Sequence, residues 1–363
     1  MKNNIKNIIF ITLFLLTIPF LYMCLTWYKK PDSVDLNNIR GFYGEKENTL
    51  DVVYIGGSAS FVYWEPLKAY EEHGIVSYLY GANTIQAEMY EYMIREVYTK
   101  QNPELIIIDA RAFQYRDVDQ PPTDIAYLNV LQGIPLNKNK IEFVYENVPK
   151  FLTKENEPIN FLFDFRRYHS NQVLGSVNTH MKMMTQTYKN ELKGFHFVPK
   201  AVRLKKEKFK TDVKTPVSEQ TTQILYSLIN ELNKHDAKVL FIVSPYIIDK
   251  EEKANFNYIS EIITNAGYDF IDSNDYVKET KIDYDTDFYN YLHVNIFGAD
   301  KYTDFLSNYI KQNYDLKDRR EDHNYASWNE LLPNWHIKVE NCKKETQAII
   351  DGEGYDETIQ TKE

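Results

Sequence analysis

An uncharged apolar run near the amino terminus constrains this chain most. Residues 8–28 carry no charged side chain, and a helix of that length can span the hydrocarbon core of a bilayer. Lysines flank both ends, and Trp27 and Tyr28 resemble an interfacial anchor at one of them. Because no second run of this kind occurs, we expect everything after Lys30 to lie on one side of a membrane.

A cleaved signal peptide and a buried core helix are the alternatives for this run. No small-x-small cleavage site follows it, so we expect the helix to be retained. A lipoprotein signal is disfavoured because Met23 precedes Cys24, where a small residue is expected. The lysines balance across the run, and charge alone therefore does not set its orientation.

The composition excludes several classes of partner and site. The chain has 363 residues and a net charge of -10, which argues against nucleic acid bound over the whole surface. Cys24 lies in the apolar run and Cys342 in a polar tail, so we expect no internal disulfide. No Cys/His spacing suggests zinc, and no Lys-Ser/Thr pair follows the glycines as in a phosphate-binding loop. The sequence predicts neither a metal nor a cofactor.

Strands that alternate with amphipathic helices follow a polar linker at residues 31–50. The strand candidates are residues 51–55, 76–80, 104–109, 238–243 and 268–271. This alternation predicts an α/β fold with a parallel sheet and helices on both faces. Thr215-Pro216 reads as the start of one helix, Gly267 as the end of another and Gly298 as the start of a later one.

About a hundred residues, 112–214, separate the third and fourth strands, which is more than a crossover needs. This insertion follows the carboxyl end of a strand, so we expect a lid or docking surface above the site, with Arg166 and Arg167 binding substrate. Its basic run, residues 200–210, fits either a solvated helix face or a contact with anionic lipid or polymer.

The tail from residue 314 onward is polar. We expect Trp328 and Trp335 to dock it against the domain. The last fifteen or so residues are acidic and predict disorder.

A candidate nucleophile follows the first strand. The apolar run 52–55 meets Gly56 and Gly57, which predict an abrupt turn, and then Ser58. Open α/β sheets place their ligands at the carboxyl ends of strands. Strand-Gly-Gly-Ser alone also fits plain turn chemistry, so the prediction depends on a base elsewhere in the chain.

His293 is the candidate base. It lies in an aromatic and polar loop after the last strand, at residues 287–295, and such a loop can reach back over the end of the first strand. A serine hydroxyl becomes a good nucleophile when an imidazole takes its proton. The imidazole needs an acceptor on its other nitrogen. A purely structural histidine is the alternative.

These residues together resemble the SGNH/GDSL hydrolases over roughly residues 50–312. The strand-Gly-Gly-Ser58 stretch resembles their first block and Gly81 their second, while His293 with Asn295 and Gly298 resembles the last. The apolar run, the long insertion and residues 244–246 narrow the resemblance to a membrane-anchored branch. That branch includes D-alanyl-lipoteichoic acid biosynthesis proteins and alginate O-acetylation proteins.

The resemblance implies a three-layer, flavodoxin-like sheet and a set of site residues. Ser58 is the implied nucleophile and His293 the implied base. The backbone N–H groups of Ser58 and Gly81 form the implied oxyanion hole. The family has aspartate where this chain has Asn290, whose amide oxygen can still accept from the imidazole; Asp287 is the alternative carboxylate.

The family's third block is absent, and Asp109-Ala110-Arg111 stands in its place. Arg111 is expected either to act as an electrophile or anion clamp for substrate, or to pair with Asp109 at the root of the insertion.

The implied function is ester hydrolysis or acyl transfer on a cell-surface polymer by a domain outside the cytoplasm. A multi-pass membrane O-acyltransferase is the implied partner. The alternative is a non-catalytic SGNH-like scaffold, which Asn290 and the missing third block favour.

Overall fold

The protein is an α/β fold built on a parallel sheet, in a computed structural model that describes residues 2–30, 32–117, 124–148, 157–163, 168, 170, 176–205 and 210–361. The strands of the sheet are β1 (Val52–Gly56), β2 (Ser77–Gly81), β3 (Leu105–Asp109), β4 (Lys238–Val243) and β5 (Asp269–Asp272). All five were predicted to within one residue at each end, because each is a short apolar run bounded by polar or turn residues.

The strand order, β2-β1-β3-β4-β5, sets the position of the candidate site. All neighbouring strands are parallel. From β1 the chain passes outward to β2, and the next connection crosses back over β1 to β3 on its other side. Ligands of doubly wound sheets bind at such a switch point, outside the carboxyl ends of the strands. Ser58 follows β1 at this point.

Hydrophobic clusters cover both faces of the sheet. Alternate residues of β1 belong to different clusters, Val53 and Ile55 to one and Val52 and Tyr54 to the other, because side chains alternate along a strand. The helices over the first face are α2 (Val34–Tyr43), α5 (Met89–Lys100), α11 (Glu219–Leu232) and α12 (Lys250–Asn265). The other face is covered by α14 (Ile296–Asn313) and part of α16 (Leu332–Ile350). The predicted layering is confirmed.

Short elements complete the framework around the sheet. These are the helices α3 (Ser58–Phe61), α4 (Pro66–His73), α13 (Val277–Thr280) and α15 (Ala326–Asn329), and the strands β6 (Phe288–Asn290) and β7 (His293–Val294). The strands β6 and β7 form an antiparallel hairpin.

Two of the three predicted helix boundaries are wrong. The helix expected at Thr215-Pro216 begins at Glu219, because Ser218 caps it by accepting from the Thr221 N–H, while the Thr215 N–H donates to Ala254 in α12. Gly298 lies inside α14 and not at its start. Gly267 does follow the end of α12, with a φ of +88° that glycine adopts without strain.

The predicted linker and the predicted disordered tail are both largely ordered. Residues 34–43 form α2, whose Ile39 and Phe42 are fully buried. Trp328 and Trp335 are buried as expected. Beyond α16, the Tyr355 ring is buried and the Gln360 N–H donates to the Arg203 carbonyl at 2.9 Å. A polar composition did not reveal these contacts, since each depends on residues distant in the sequence.

The amino-terminal helix is α1 (Lys2–Lys29). Within the described residues it alone is long and apolar enough to cross a bilayer, over Asn4–Tyr22, and none of that window is buried against the rest of the protein. A retained anchor and a signal sequence both fit this observation.

The first part of the insertion is largely helical where the structure describes it, up to Met184. Its helices are α6 (Arg111–Asp117), α7 (Asp124–Leu131), α8 (Lys138–Asn147), α9 (Ile159–Leu162) and α10 (Val177–Met184). Their partners outside the insertion are α1, α2, α5, α11 and α12.

The extended stretch that follows the insertion helices also reaches the residues around the candidate site. The His196 N–H donates to Phe61 and the Val202 N–H to Phe288. Residues 200–205 of the basic run are extended, not helical. Arg166 and Arg167 lie outside the described residues, so their expected role in substrate binding stays a prediction.

The close approach of β1 and β2 predicts a strong effect of Gly81→Ala. A Cβ at Gly81 would lie 1.9 Å from the Gly56 carbonyl oxygen, a backbone atom that cannot move aside. We expect a loss of about 3 kcal/mol in the free energy of unfolding, measured by chemical denaturation. Gly57→Ala is the matched control, since its Cβ would lie 3.3 Å from an Ile85 methyl. Equal stability of the two variants would contradict this account.

Candidate active site

The turn after β1 presents Ser58 at the start of α3. Gly57 caps this helix with φ -83° and ψ -156°, so its backbone is extended and needs no glycine. Gly56 is required for space, because a Cβ there would lie 2.8 Å from the Asp109 Cβ and 3.0 Å from the Ser60 Cβ. The expected turn is present, but neither glycine supplies an unusual backbone conformation, and only Gly56 is needed for the packing of the strand ends.

The β6–β7 hairpin presents the candidate base. Asn290 and His293 pair across its two strands, and Tyr291 and Leu292 form the connection. Asn295 then caps α14 by accepting from the N–H groups of Phe297 and Gly298. The cap fixes where the hairpin ends and the helix begins, which holds His293 at a defined height above the sheet.

Ser58, His293 and Asn290 form a continuous chain of hydrogen bonds. The Ser58 Oγ lies 2.6 Å from the His293 Nε2, and the His293 Nδ1 lies 3.0 Å from the Asn290 Oδ1. These residues are 235 positions apart for the first contact and three for the second. The geometry is that of a nucleophile, a base and an orienting acceptor.

The tautomer of His293 follows from a neighbouring backbone group. The Leu292 N–H donates to the Asn290 side chain at 2.9 Å, so the atom facing it is the amide oxygen. The same oxygen faces the His293 Nδ1, which must therefore carry the proton. The Nε2 is left with its lone pair toward Ser58, and the serine hydroxyl donates to it. This is the arrangement that a general base requires before reaction.

His293 is held in its neutral form. Burial and the neighbouring Arg111 guanidinium lower the pKa of His293 to about 3. The Tyr289 ring stacks on the imidazole with ring centroids 5.3 Å apart and planes 7° apart. Burial and the charge of Arg111 thus keep the imidazole neutral. His293 accepts a proton only when negative charge develops nearby.

Two buried side chains hold the connection of the hairpin. Arg111 donates to the Leu292 carbonyl at 3.0 Å, and its guanidinium lies over the Tyr246 ring at 4.2 Å. The Tyr63 hydroxyl lies 2.9 Å from the same carbonyl oxygen and 2.6 Å from that of Pro245. Arg111 is 1% exposed, so in this structure it supports the loop that carries His293 and does not present an open clamp.

Asp109, at the end of β3, holds the turn that carries Ser58 through hydrogen bonds to backbone N–H groups. It is buried, and its carboxylate accepts from the backbone N–H groups of Gly57 and Arg111, the latter at 3.0 Å. Desolvation raises the pKa of Asp109, although the Arg111 charge and these two hydrogen bonds oppose the rise. One carboxylate therefore connects the serine turn to the residue that supports the histidine hairpin.

The predicted second block lies beside the first. Gly81 ends β2 in register with Gly56. Asn83 follows, and both its backbone N–H and its side-chain amide donate to Asp35 of α2, at 2.7 and 2.9 Å. Gly81 is thus near the Ser58 turn, and the implied oxyanion hole stays a prediction.

Asp287 is not the partner of His293 in this structure. Its carboxylate binds the Lys301 ammonium at 2.6 Å and accepts from the Asp283 N–H and the Thr286 hydroxyl at 2.7 and 3.0 Å. It is 1% exposed. These contacts brace the base of the hairpin against α14 and leave Asn290 as the orienting acceptor.

Sequence reasoning missed the supporting residues Tyr63 and Tyr289, and it named Asp109 only as an alternative partner of Arg111. Tyr63 acts through contacts that are distant in the sequence, which no short motif records. Tyr289 adjoins Asn290, and the concentration of aromatic residues in 287–295 was its only signal. Among the described residues, no group of three or more His, Cys, Asp or Glu side chains could hold a metal ion.

Ser58 and His293 are half-buried, which leaves them within reach of a ligand. A separate polar cleft of about 320 Å³ lies between α2 and the segment 188–196, and neither Ser58 nor His293 lines it.

Comparison with known proteins adds no assignment: no family model matches this chain, and no curated protein matches it.

The electrostatics of His293 yield a titration prediction. Nuclear magnetic resonance should show the His293 imidazole neutral down to well below the ordinary histidine range, since its pKa is lowered to about 3. Arg111→Gln should raise that pKa because a nearby positive charge is removed. Lys301→Gln, which removes a cation paired with Asp287, is the matched control and should leave it near the wild-type value. Titration of wild-type His293 near pH 6.5 would refute this account.

Proposed function

We propose that this chain is a membrane-anchored serine ester hydrolase or O-acyltransferase, with its α/β domain outside the cytoplasm. The observation that carries the proposal is the hydrogen-bonded chain from Ser58 through His293 to Asn290. Its substrate is an acyl ester, and the acceptor is water or a hydroxyl group of a cell-surface polymer.

The reaction divides into two acyl transfers. The Ser58 Oγ attacks the ester carbonyl carbon while the His293 Nε2 takes the hydroxyl proton. The tetrahedral intermediate then expels the alkoxide, which receives that proton from His293, and the acyl group remains on Ser58. In the second half, the Nε2 takes a proton from water or a polymer hydroxyl, the new oxygen attacks the acyl carbon, and Ser58 leaves with its proton restored.

Asn290 limits how well the site stabilises the imidazolium form of His293. Its amide oxygen orients the imidazole, but it carries no full charge to stabilise the imidazolium that forms in each step. Burial and Arg111 also disfavour that cation. The chemistry needs compensation from a bound substrate on whose carbonyl oxygen negative charge develops, or it is slow. The same facts favour the second candidate, a non-catalytic SGNH-like scaffold.

The strand order and the positions of the site residues support an SGNH-like assignment. The strand order 2-1-3-4-5 is also the order of flavodoxin-like folds. Ser58, Gly81 and His293 follow β1, end β2 and follow β5, in the order that the resemblance implies. The span in α1 would keep this domain beside a membrane, where a multi-pass O-acyltransferase could supply the acyl group.

Covalent labelling tests the proposal directly. A fluorophosphonate probe, which reacts with activated serines, should label the purified full chain, and Ser58→Ala should abolish the labelling because it removes the attacking oxygen. Ser60→Ala is the matched control: this serine is in the same helix, and its hydroxyl donates to the Gly57 carbonyl. Absence of labelling in the wild type, or labelling that survives Ser58→Ala, would favour the scaffold.

Restoring a carboxylate tests the role of Asn290. In the serine protease template, the reverse change, aspartate to asparagine, lowers kcat about 10⁴-fold. Asn290→Asp should raise the rate of probe labelling by at least about tenfold, because a carboxylate stabilises the imidazolium. The measurement is the labelling rate at fixed pH.

Asp287→Asn provides the contrasting variant. It should lower stability by disrupting the Lys301 ion pair while the labelling rate of the folded fraction stays close to that of the wild type. Loss of labelling at unchanged folding would instead assign the orienting role to Asp287.

A further inference from the structure

Three helices of the insertion expose pairs of large apolar side chains. Each pair is spaced four residues apart, and each member is between 38% and 59% exposed. We call these six residues the apolar patch: Ile141 and Tyr145 on α8, Ile159 and Phe163 on and just after α9, and Val177 and Met181 on α10.

The spacing places both members of a pair on one side of their helix. The opposite sides of the same helices are buried, through Phe143 and Val144 on α8, Phe161 on α9 and Met183 on α10. The helices are therefore already packed against the protein, and the side chains of the patch stay partly exposed on the remaining sides of these helices.

The patch adjoins the helix that is able to span a membrane. The Tyr22 ring contacts the Phe163 ring edge-on, with centroids 6.3 Å apart, and α10 packs beside α1. Tyr22 is the last residue of the apolar window of α1. Phe163 thus lies beside the domain-side end of α1, at a point a few residues before Trp27 and Tyr28, a pair of aromatic residues typical of a membrane interface.

Polar contacts fasten the end of α1 to the insertion. Asp32 pairs with the buried His180 of α10 at 3.0 Å. The Lys30 ammonium donates to the Gln132 carbonyl just after α7, at 2.5 Å. Leu36 of α2 and Met183 of α10 are fully buried together. These contacts fix the position of the insertion relative to the domain-side end of α1.

We propose that the apolar patch lies in the headgroup and upper acyl region of the bilayer that α1 spans, so that the insertion is a second membrane contact. Exposed apolar side chains on neighbouring helices are typical of contact sites. The apolar patch lies next to α1, the helix that is able to span the membrane. Lipid around α1 is therefore the nearest apolar partner for the patch. Short amphipathic helices bind membranes in this manner, with the apolar side in the interface.

This contact would hold the domain at a fixed height and tilt above the membrane. The inference does not rest on the chemistry of Ser58 and would stand if the chain were a scaffold. It does rest on the retention of α1.

Depth-dependent quenching tests the inference on the full-length chain. In a Cys24→Ser background, Ile141→Cys, Ile159→Cys and Val177→Cys are each labelled with an environment-sensitive fluorophore, while Cys342 stays unlabelled because it is buried. The labelled proteins are reconstituted into vesicles with and without bromine on the lipid acyl chains. Brominated lipid should quench all three probes strongly.

Matched controls use exposed apolar residues elsewhere. Tyr226→Cys on α11 and Ile337→Cys on α16 replace side chains that are 51% and 59% exposed, and their probes should show no loss of fluorescence. If a patch variant does not fold, the other member of its pair replaces it. Equal quenching at patch and control positions would overturn the proposal. So would patch probes that stay unquenched in pure lipid and become shielded only in native membranes, which would assign the patch to a protein partner.

Discussion

The close contact of three strand ends is the constraint on which the candidate site depends. Gly81 allows β2 to approach the Gly56 carbonyl, and Gly56 allows the end of β1 to lie against Asp109 of β3. Side chains at either glycine would force these strands apart. The carboxylate of Asp109 could then no longer accept from the Gly57 N–H, and the turn that presents Ser58 would lose its fixed position relative to Arg111 and the histidine hairpin.

The histidine side of the site shows how a buried cation can organise a neutral base. Arg111 holds the backbone at Leu292, and through that contact it sets the height of His293. Its charge also lowers the pKa of the imidazole that it positions. One residue therefore both orders the base and makes the protonated base less favourable. Asn290 orients the ring without opposing this effect, whereas an aspartate would compensate for part of it.

Local pattern was sufficient for the strands and for the central pair of the site, and insufficient for everything that supports them. The strands are apolar runs with turn residues at their ends, and Ser58 and His293 stand next to such signals. Asn290 was identified through the resemblance, because it stands where the family has aspartate, and the hairpin brings it into direct contact with His293. The start of α11 was missed because Ser218 and the bond from Thr215 to Ala254 decide it. Tyr63 acts through distant contacts, and Asp109 reaches the turn through its hydrogen bond from the distant Gly57 N–H; neither contact follows from the local sequence.

The carboxyl-terminal segment has a consequence for the order in which the site can form. The Gln360 N–H bonds to Arg203, the Val202 N–H bonds to Phe288 of the hairpin, and the Tyr355 hydroxyl donates to the Asp285 carbonyl at 2.6 Å. The stretch beside the hairpin is thus held from both sides, by residues before it and residues after it. During synthesis residues 355–360 emerge after the sheet and the hairpin. The sheet and its helices can therefore assemble first, and His293 receives its full support only after residues 355–360 have been made.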